Sequence, residues 1–485
     1  MAKIVAGINN TSLNESSPMK ISTLLRNRNT WVFFALSLLY CIPSWVRYAS
    51  WRGSVWDMGY FVNALWSISH GHWLACSPFE DGMPALGDAA SFILYPLALW
   101  YRATGPYGLL WIQAISLLSG IVFLLRWGRR FQLTPIYSVV LIGLFLIFPT
   151  IWGSLLFDFH PDVFAIPLLC ALVESVWDCH WRKYWVLFFL NLLVKGTMPV
   201  TLFGVGIMLL IQRHRWQGWL SLLLSSGWMA AIALWLLPKL SPTGNVAQWS
   251  STYGWVSHSP RSFLGSVAGR LTILATPWGH STVWVYLFGI AAGVAFIPFF
   301  YKQSLIVLIP ASTMILFNVY SHYVQQQWLV NQYSLFMVPF LFASLTIAMS
   351  LLTKRTLRFT FMALPIPILV ASLTWKSFGP ILWPTRAARQ LTVASQLIPP
   401  QAPVYGQDFT LYKLVNRSHV AILTSYPQKV PNDAFVLLDK NQNIYQFYGI
   451  SIRKFQVMLL DFEKSPQWKE LYHQGPVYLF HKIGS

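Results

Sequence analysis

Charged residues are scarce in this chain. Only 10% of its 485 residues are charged, with 15 Asp and Glu against 34 Lys and Arg. Hydrophobic residues make up 55% of the chain, and its mean hydropathy is +0.50. A water-soluble core could not bury this much apolar surface, whereas a lipid bilayer can cover it. The composition therefore excludes an ordinary soluble enzyme and predicts an integral, multi-pass membrane protein.

Cysteines are also few. The four cysteines show no metal-ligand spacing, and two of them, Cys41 and Cys170, lie inside apolar segments. We therefore expect neither a disulfide framework nor a zinc site. The excess of positive charge does not indicate nucleic-acid binding, because Lys and Arg occur in short clusters beside apolar segments. Such clusters are typical of cytoplasmic loops.

About eleven apolar segments are long enough, or nearly long enough, to cross a bilayer. Arg26 and Arg28 precede the first segment, so we expect a cytoplasmic tail over 1–29. Alternating loops then carry Arg or Lys, which places loops 47–106 and 238–281 on the exoplasmic side of a bundle over 30–375. The predicted segments are 30–46, 107–125, 136–156, 163–177, 184–194, 198–211, 219–237, 282–300, 305–319, 333–352 and 359–375.

Two regions differ from these segments. The apolar stretch 92–101 is too short to cross a bilayer, and we predict an interfacial or re-entrant helix there. From 376 to 485 the composition is mixed, with short β-like runs bounded by Pro, Gly, Asn or Asp. We predict that 376–485 forms a small α/β domain, which the odd number of segments places outside the cell.

Several of the scarce polar residues fall at segment edges on the predicted exoplasmic side. They are Asp57, Asp88, Asp158, His160 and Lys195. Ionisable residues near a membrane edge often mark function, although each one has an ordinary alternative. For three carboxylates the alternative is capping of the helix that follows: Asp57, Asp88 and Asp162. Because the residues recur together on one side, we predict a single site.

An exoplasmic site must use a substrate that needs no cytosolic nucleotide, and a lipid-linked phosphosugar meets that condition. Transfer from it requires a carboxylate that accepts the proton of the acceptor hydroxyl, for which we predict Asp57. It also requires cations at the leaving phosphate. The predicted phosphate-binding cations are Lys195, Arg261 and Arg270. Asp158 and His160 either hold a divalent cation together or orient the donor.

Several short motifs occur in a fixed order along the chain. They are Trp56-Asp57-Met58-Gly59-Tyr60-Phe61, Leu86-Gly87-Asp88, Phe157-Asp158-Phe159-His160-Pro161, Tyr333-Ser334 and Asp433-Ala434-Phe435-Val436-Leu437-Leu438-Asp439. From Trp51 to Asp439 the chain resembles the membrane-protein family known as domain of unknown function 2079. That family is similar to the GT-C superfamily of polytopic glycosyltransferases, which use polyprenyl-phosphate sugars. The resemblance implies a GT-C-like fold with two catalytic carboxylates: Asp57, the acidic residue of the first exoplasmic loop, and Asp88, the acidic residue of the second-loop motif.

Two positions depart from the pattern of that family. Its members usually carry His directly after the second-loop Asp, where this chain has Ala89. They usually carry Lys-Glu-Asp where this chain has Lys195-Gly196-Thr197. Altered chemistry and loss of activity are both compatible with these departures. Two other interpretations stay open: a transporter or flippase for a lipid-linked substrate, and a non-catalytic protein that binds a partner through its exoplasmic domain. In each case we expect a bacterial plasma-membrane protein in contact with lipid.

Overall fold

The computed structural model describes residues 28–74, 84–240, 276–352, 365–375, 385–423, 430–441 and 452–483. Within these residues a helical bundle is followed by a small sheet that carries helices on both faces. The predicted phosphate-binding residues Arg261 and Arg270 lie outside the described residues, as does Cys76.

The bundle consists of helices with short connections. Its first part contains α1 Arg28–Ala49, α2 Tyr60–Ser69, α3 Ala85–Ala89, α4 Leu94–Arg130, α5 Pro135–Ile147, α6 Pro149–Leu156, α7 Ala165–Trp177, α8 Trp181–Leu192, α9 Met198–Ile211, α10 Arg215–Ala231 and α11 Leu237–Leu240. Its second part contains α12 Ser281–Gly293, α13 Lys302–Val307, α14 Ile309–Val319, α15 Val338–Ser350 and α16 Pro365–Trp375. Short irregular helices join some of them. Two are single turns of π-helix, here called π-turns: Val55–Gly59 and Ile232–Leu236. Five are 3₁₀ turns: Pro161–Phe164, Thr276–Gly279, Ile297–Phe300, Val324–Gln327 and Gln332–Met337.

Several helices suit a membrane. Among the described residues, four are long and apolar enough to cross one: Thr30–Ala49, Leu94–Arg130, Arg215–Leu240 and Gln332–Ser350. The bent pair α5 and α6 gives a fifth if the two helices form one span. Shorter apolar helices occur at Met198–Ile211, Ser281–Gly293, Ile309–Val319 and Pro365–Thr374. A helical, multi-pass fold is confirmed, whereas the count of about eleven spans stays a prediction.

Proline and glycine explain two breaks in these helices. The segment 136–156, predicted as one helix, bends by 48° between α5 and α6. Pro149 disfavours helical backbone at the residue before it, and Phe148 accordingly adopts φ −62° and ψ 125°. In α4, Gly105 adopts φ 64°, which favours glycine, and separates the first part of the helix from the part that begins at Pro106. The stretch 92–101 lies largely in that first part.

The C-terminal region forms the small sheet that the sequence predicts. Its elements are α17 Arg386–Gln396, β1 Val404–Gly406, α18 Asp408–Leu411, β2 Val420–Ile422, β3 Phe435–Asp439, α19 Ile452–Lys464, β4 Trp468–Gln474 and β5 Val477–Lys482. The strand order is β2-β1-β3-β5-β4. β1 pairs in parallel with β2 and β3, while β5 pairs antiparallel with β3 and β4.

Strand β3 is buried along its whole length because both faces of the sheet are covered. Successive side chains of a strand point to opposite faces. Phe435 and Leu437 join the core that contains α17 and the bundle, whereas Val436 and Leu438 pack with α19. The C-terminal domain therefore shares a continuous apolar core with the bundle.

Candidate functional site

Asp57 lies in the π-turn Val55–Gly59, between α1 and α2. Single turns of π-helix are rare in proteins, and those that occur are frequently found at functional sites. Ser54 caps this turn, because its hydroxyl accepts a hydrogen bond from the backbone N–H of Trp56 at 3.1 Å. The helix-cap interpretation of Asp57 is therefore wrong. The Asp57 side chain is 26% exposed, so it can meet a substrate.

Helix capping is also the wrong interpretation for Asp88 and Asp162. The residue that precedes α4 is Ile93, which provides no side-chain cap, so Asp88 does not cap the helix that follows it. Asp162 lies inside the 3₁₀ turn Pro161–Phe164 and not before it.

His160 connects Asp57 to the loop that follows α6. Its Nε2 lies 3.0 Å from Oδ1 of Asp57, and its Nδ1 lies 3.0 Å from the carbonyl oxygen of Asp158. A carbonyl oxygen only accepts, so Nδ1 carries a proton and Nε2 faces a carboxylate oxygen. Burial alone would lower the pKa of His160, but the hydrogen bond and the charge of Asp57 outweigh burial and raise this pKa. The geometry therefore favours an imidazolium paired with the Asp57 carboxylate.

The position of His160 is fixed by several neighbours. Its backbone N–H donates to Oε1 of Gln113 at 3.2 Å, and Nε2 of Gln113 donates to the carbonyl oxygen of Ser154 at 2.9 Å. The imidazole stacks on Phe157 at 5.6 Å and meets the edge of Phe61 at 5.4 Å. These contacts hold the His160 imidazole in one orientation toward Asp57.

Asp158 is buried, and its carboxylate binds residues other than His160. One carboxylate oxygen lies 3.2 Å from the guanidinium of Arg47, and the other accepts a hydrogen bond from the backbone N–H of Ser54 at 2.7 Å. Burial raises the pKa of Asp158, and the charge of Arg47 opposes that rise. The described residues contain no group of three or more His, Cys, Asp or Glu that could hold a metal ion. The side chains of Asp158 and His160 have separate protein partners, and a divalent cation held by both stays a prediction.

Lys195 approaches the site from the turn between α8 and α9. Its ammonium group lies 2.9 Å and 3.1 Å from the two carboxylate oxygens of buried Asp162. It also lies 5.2 Å from the centre of the Tyr333 ring, a favourable cation–π position.

Tyr323 is a second aromatic residue near Asp57. Its ring meets the edge of the Tyr333 ring at 6.0 Å. Burial raises the pKa of Tyr323, and the charge of Asp57 raises it further. Of the predicted site residues that the structure describes, Asp57 contacts His160 and Lys195 contacts Asp162. Asp88 is next to Ala89, whose carbonyl oxygen accepts a hydrogen bond from Gly196 beside Lys195. The contributors that were not predicted as site residues are Arg47, Gln113, Tyr323, Tyr333 and Asp408.

The two departures from the family pattern are neighbours in the structure. The backbone N–H of Gly196 donates to the carbonyl oxygen of Ala89 at 3.1 Å. A Cβ atom on Gly196 would lie 3.1 Å from the Cβ of Ala90, which is tighter than ordinary contact. Small residues therefore pack together beside Lys195, where the family pattern has polar groups.

The chain is similar to one protein family in sequence and to solved structures of ArnT in fold. The sequence profile described as "Predicted membrane protein (DUF2079)" matches residues 47–437. ArnT from Cupriavidus metallidurans bound to undecaprenyl phosphate is similar with a TM-score of 0.51 and 13% identity, over 95% of this chain and 99% of that chain. ArnT in the apo state gives a TM-score of 0.53 and 14% identity, over 94% and 98%. No curated protein matches the sequence. These similarities show that the chain shares the overall fold of ArnT.

Proposed function

This chain belongs to the DUF2079 family of predicted membrane proteins, and on that premise we propose that it is a GT-C-like glycosyltransferase using a polyprenyl-phosphate-linked sugar. One observation carries the proposal. The Asp57 carboxylate, on an irregular turn after α1, pairs with buried His160 and still reaches the surface. The undecaprenyl phosphate bound to ArnT, a protein of similar fold, supports a lipid-linked donor.

In the proposed reaction the acceptor hydroxyl attacks the anomeric carbon of the donor sugar. A new carbon–oxygen bond forms, and the bond from the anomeric carbon to the phosphate oxygen breaks with its electron pair on the phosphate. Asp57 accepts the hydroxyl proton at the carboxylate oxygen that His160 does not contact. His160 holds the other oxygen and thereby sets the direction of the carboxylate.

Lys195 is proposed to hold the leaving phosphate. An ammonium group has three N–H donors, and the Asp162 carboxylate engages it through two oxygens, so a donor remains for a phosphate oxygen. The cation also needs no reorganisation, because Asp162 and Tyr333 already fix its position. Arg261 and Arg270 stay proposed as further phosphate-binding residues in loop 238–281.

A transfer assay on purified protein in lipid nanodiscs tests this function. Wild type should move sugar from a polyprenyl-phosphate donor to an acceptor, and Asp57→Asn should reduce the rate about 10²- to 10⁴-fold, as loss of a general base does. The matched control is Asp178→Asn, which alters a carboxylate at the other end of α7 and should keep the wild-type rate.

Melting curves accompany the assay, because Asp57→Asn should remain folded at the assay temperature even though it weakens the pair with His160. If wild type transfers no sugar from any donor tested, or if Asp57→Asn is as active as wild type, the transferase proposal is wrong. Substrate flux across proteoliposomes without a covalent product would instead indicate a transporter.

We also propose that the site faces the exoplasm and that the C-terminal domain lies on the same side. α7 begins just after Asp162 and ends beside Asp178, where Arg126 and Arg130 of α4 form ion pairs. Basic residues favour the cytoplasmic side, so this arrangement supports an exoplasmic position for the opposite end.

Cysteine labelling in membrane vesicles tests the orientation. The native Cys179 is exposed at the basic end of α7, and Gln401 is exposed in the C-terminal domain. With Cys76→Ser as background, an impermeant maleimide should label Cys179 in inside-out vesicles only. With Cys179→Ser added, Gln401→Cys should be labelled in right-side-out vesicles only. The reverse pattern would place the site in the cytoplasm and remove the basis for a lipid-linked donor.

A further inference from the structure

The C-terminal domain reaches the turn that carries Asp57. Asp408 is the first residue of α18, directly after β1 and Gln407. Its Oδ1 accepts hydrogen bonds from the backbone N–H of Val55 at 2.6 Å and from the hydroxyl of Ser54 at 2.9 Å, and its Oδ2 lies 3.2 Å from the same hydroxyl. A carboxylate from the far end of the chain therefore binds the first residues of the π-turn.

Other contacts fix the same segment of the domain on both sides of the turn. On the α1 side, the Tyr412 hydroxyl donates to the carbonyl oxygen of Tyr48 at 2.5 Å. On the α2 side, the Asn63 amide donates to the carbonyl oxygen of Val415 at 2.7 Å. The packing leaves little space, since a Cβ atom on Gly53 would lie 2.7 Å from the Tyr412 ring. The segment that carries Asp408 is thus fixed against both neighbours of the turn.

At the start of the π-turn, two of three successive backbone N–H groups donate hydrogen bonds to carboxylates that are remote in sequence. The N–H of Ser54 donates to Asp158, the N–H of Val55 donates to Asp408, and the N–H of Trp56 donates to the Ser54 hydroxyl. Buried backbone N–H groups need such partners, and an irregular turn cannot supply all of them itself. The direction in which the turn presents Asp57 therefore depends on Asp158 from the bundle and on Asp408 from the C-terminal domain.

Burying a carboxylate at position 408 costs more free energy than a purely structural contact requires. Burial is the largest cause that raises the pKa of Asp408 to about 6, and the charges of Asp57 and Asp158 raise it too, while the hydrogen bonds from Val55 and Ser54 oppose the rise. A neutral acceptor would bind the same donors without bringing a third carboxylate next to Asp57 and Asp158.

From this geometry we infer that Asp408 is a positioning residue for Asp57, so that the C-terminal domain completes the active site and is not a separate partner-binding module. The inference rests on the proposed function, because Asp57 is its proposed base. Asp408 acts on Asp57 through its hydrogen bonds to Val55 and Ser54. We assign it no contact with the reacting atoms.

Two substitutions of Asp408 and one control separate positioning from stability. Asp408→Ala removes the acceptor, whereas Asp408→Asn keeps an oxygen that can accept from Val55 and Ser54. Tyr101→Phe removes a different hydrogen bond across the same interface, from the Tyr101 hydroxyl to the Asn416 side chain at 2.7 Å. We expect Asp408→Ala to lower kcat at least about tenfold with the donor KM within about twofold, because small displacements of a catalytic group cost rate. Asp408→Asn should recover most of that loss, and Tyr101→Phe should keep the wild-type kcat.

Hydrogen–deuterium exchange gives a second readout that needs no activity. Asp408→Ala should lose protection over 53–60, and Tyr101→Phe should keep it. Unchanged protection in Asp408→Ala overturns the inference, and so does lost protection with an unchanged kcat in an active enzyme. An equal loss of kcat in Asp408→Ala and Tyr101→Phe also overturns it. If wild type itself transfers no sugar, the proposed function fails, and the exchange result alone then decides whether Asp408 positions the turn.

Discussion

The two ends of the bundle both carry ion pairs, but they differ in their contact with solvent. At the basic end, α4 and α7 are joined by pairs in which solvent reaches both partners: Arg126 with Glu174 and Arg130 with Asp178. At the Asp57 end each pair contains a nearly buried member: Arg47 with Asp158, Asp57 with His160, and Lys195 with Asp162. Arg126 is 57% exposed, whereas Asp162 is 2% exposed.

The difference in solvent exposure between the two sets of ion pairs indicates different roles for the two ends of the bundle. Exposed pairs contribute about 0–1 kcal/mol to stability, since water screens them. Buried pairs lose hydration that their attraction does not always restore, and apolar side chains of similar volume often stabilise a fold as well or better. Stability alone therefore does not account for three such pairs beside one turn. The proposed site for a phosphate-linked donor would account for them.

The largest expected stability effect comes from breaking a buried pair. Lys195→Met removes the cation and leaves the Asp162 carboxylate buried without its partner. We expect a loss of about 3–5 kcal/mol in the free energy of unfolding, the usual range for such a change. Thermal melting of the purified variant in detergent or nanodiscs measures it.

The double variant Lys195→Met/Asp162→Asn provides the matched control. It removes both charges, so it should melt closer to wild type than Lys195→Met does. A Lys195→Met variant that melts with wild type would show that Asp162 is hydrated or protonated, and the contrast between the two ends would lose its energetic basis.

Sequence reasoning could predict which polar residues share one end of the bundle, because basic clusters restrict the side on which each loop lies. It could not predict their individual partners. Asp408 is 353 positions from Val55 and stands in a domain whose sequence has no catalytic motif. Only the packed structure shows that β1 and α18 deliver it to the turn.

Local backbone irregularities were also beyond the sequence pattern. The π-turn Val55–Gly59 has no composition signal, and its N-cap is Ser54 although Asp57 is an equally suitable capping residue. The segment 136–156 was predicted as one helix, although Pro149 marks the position of its bend. Apolar periodicity identifies a helix, but proline and tertiary contacts decide where the helix is interrupted.

A smaller effect should appear in the pH dependence of stability. The pKa of His160 is raised above its usual value of 6.5, mainly because Asp57 overcomes the effect of burial. A histidine of this kind stabilises the fold fully below its unfolded pKa, and the stabilisation is lost as pH rises through the folded pKa. The melting temperature of wild type, relative to His160→Gln, should therefore fall as pH increases above 6.5.

Asp57→Asn supplies the control for this pH dependence, since it removes the charge that raises the His160 pKa while keeping the size of the side chain. The fall above pH 6.5 should be weaker in Asp57→Asn than in wild type. An identical fall in both proteins would mean that another group titrates in this range and that the His160 pair is not charged as the geometry indicates.

The smallest expected effect belongs to the basic end, and it sets the baseline for the comparison. Arg126→Met breaks a pair whose arginine is 57% exposed, so the free energy of unfolding should change by less than about 1 kcal/mol. About 1 M salt should remove most of that change, because the screening length then falls to about 3 Å. Melting curves of Arg126→Met and Lys195→Met at low and high salt make the test direct. A loss in Arg126→Met as large as that in Lys195→Met, and equally resistant to salt, would show that both ends use their ion pairs in the same way. The buried charges around Asp57 would then no longer distinguish a functional site from ordinary structural pairs.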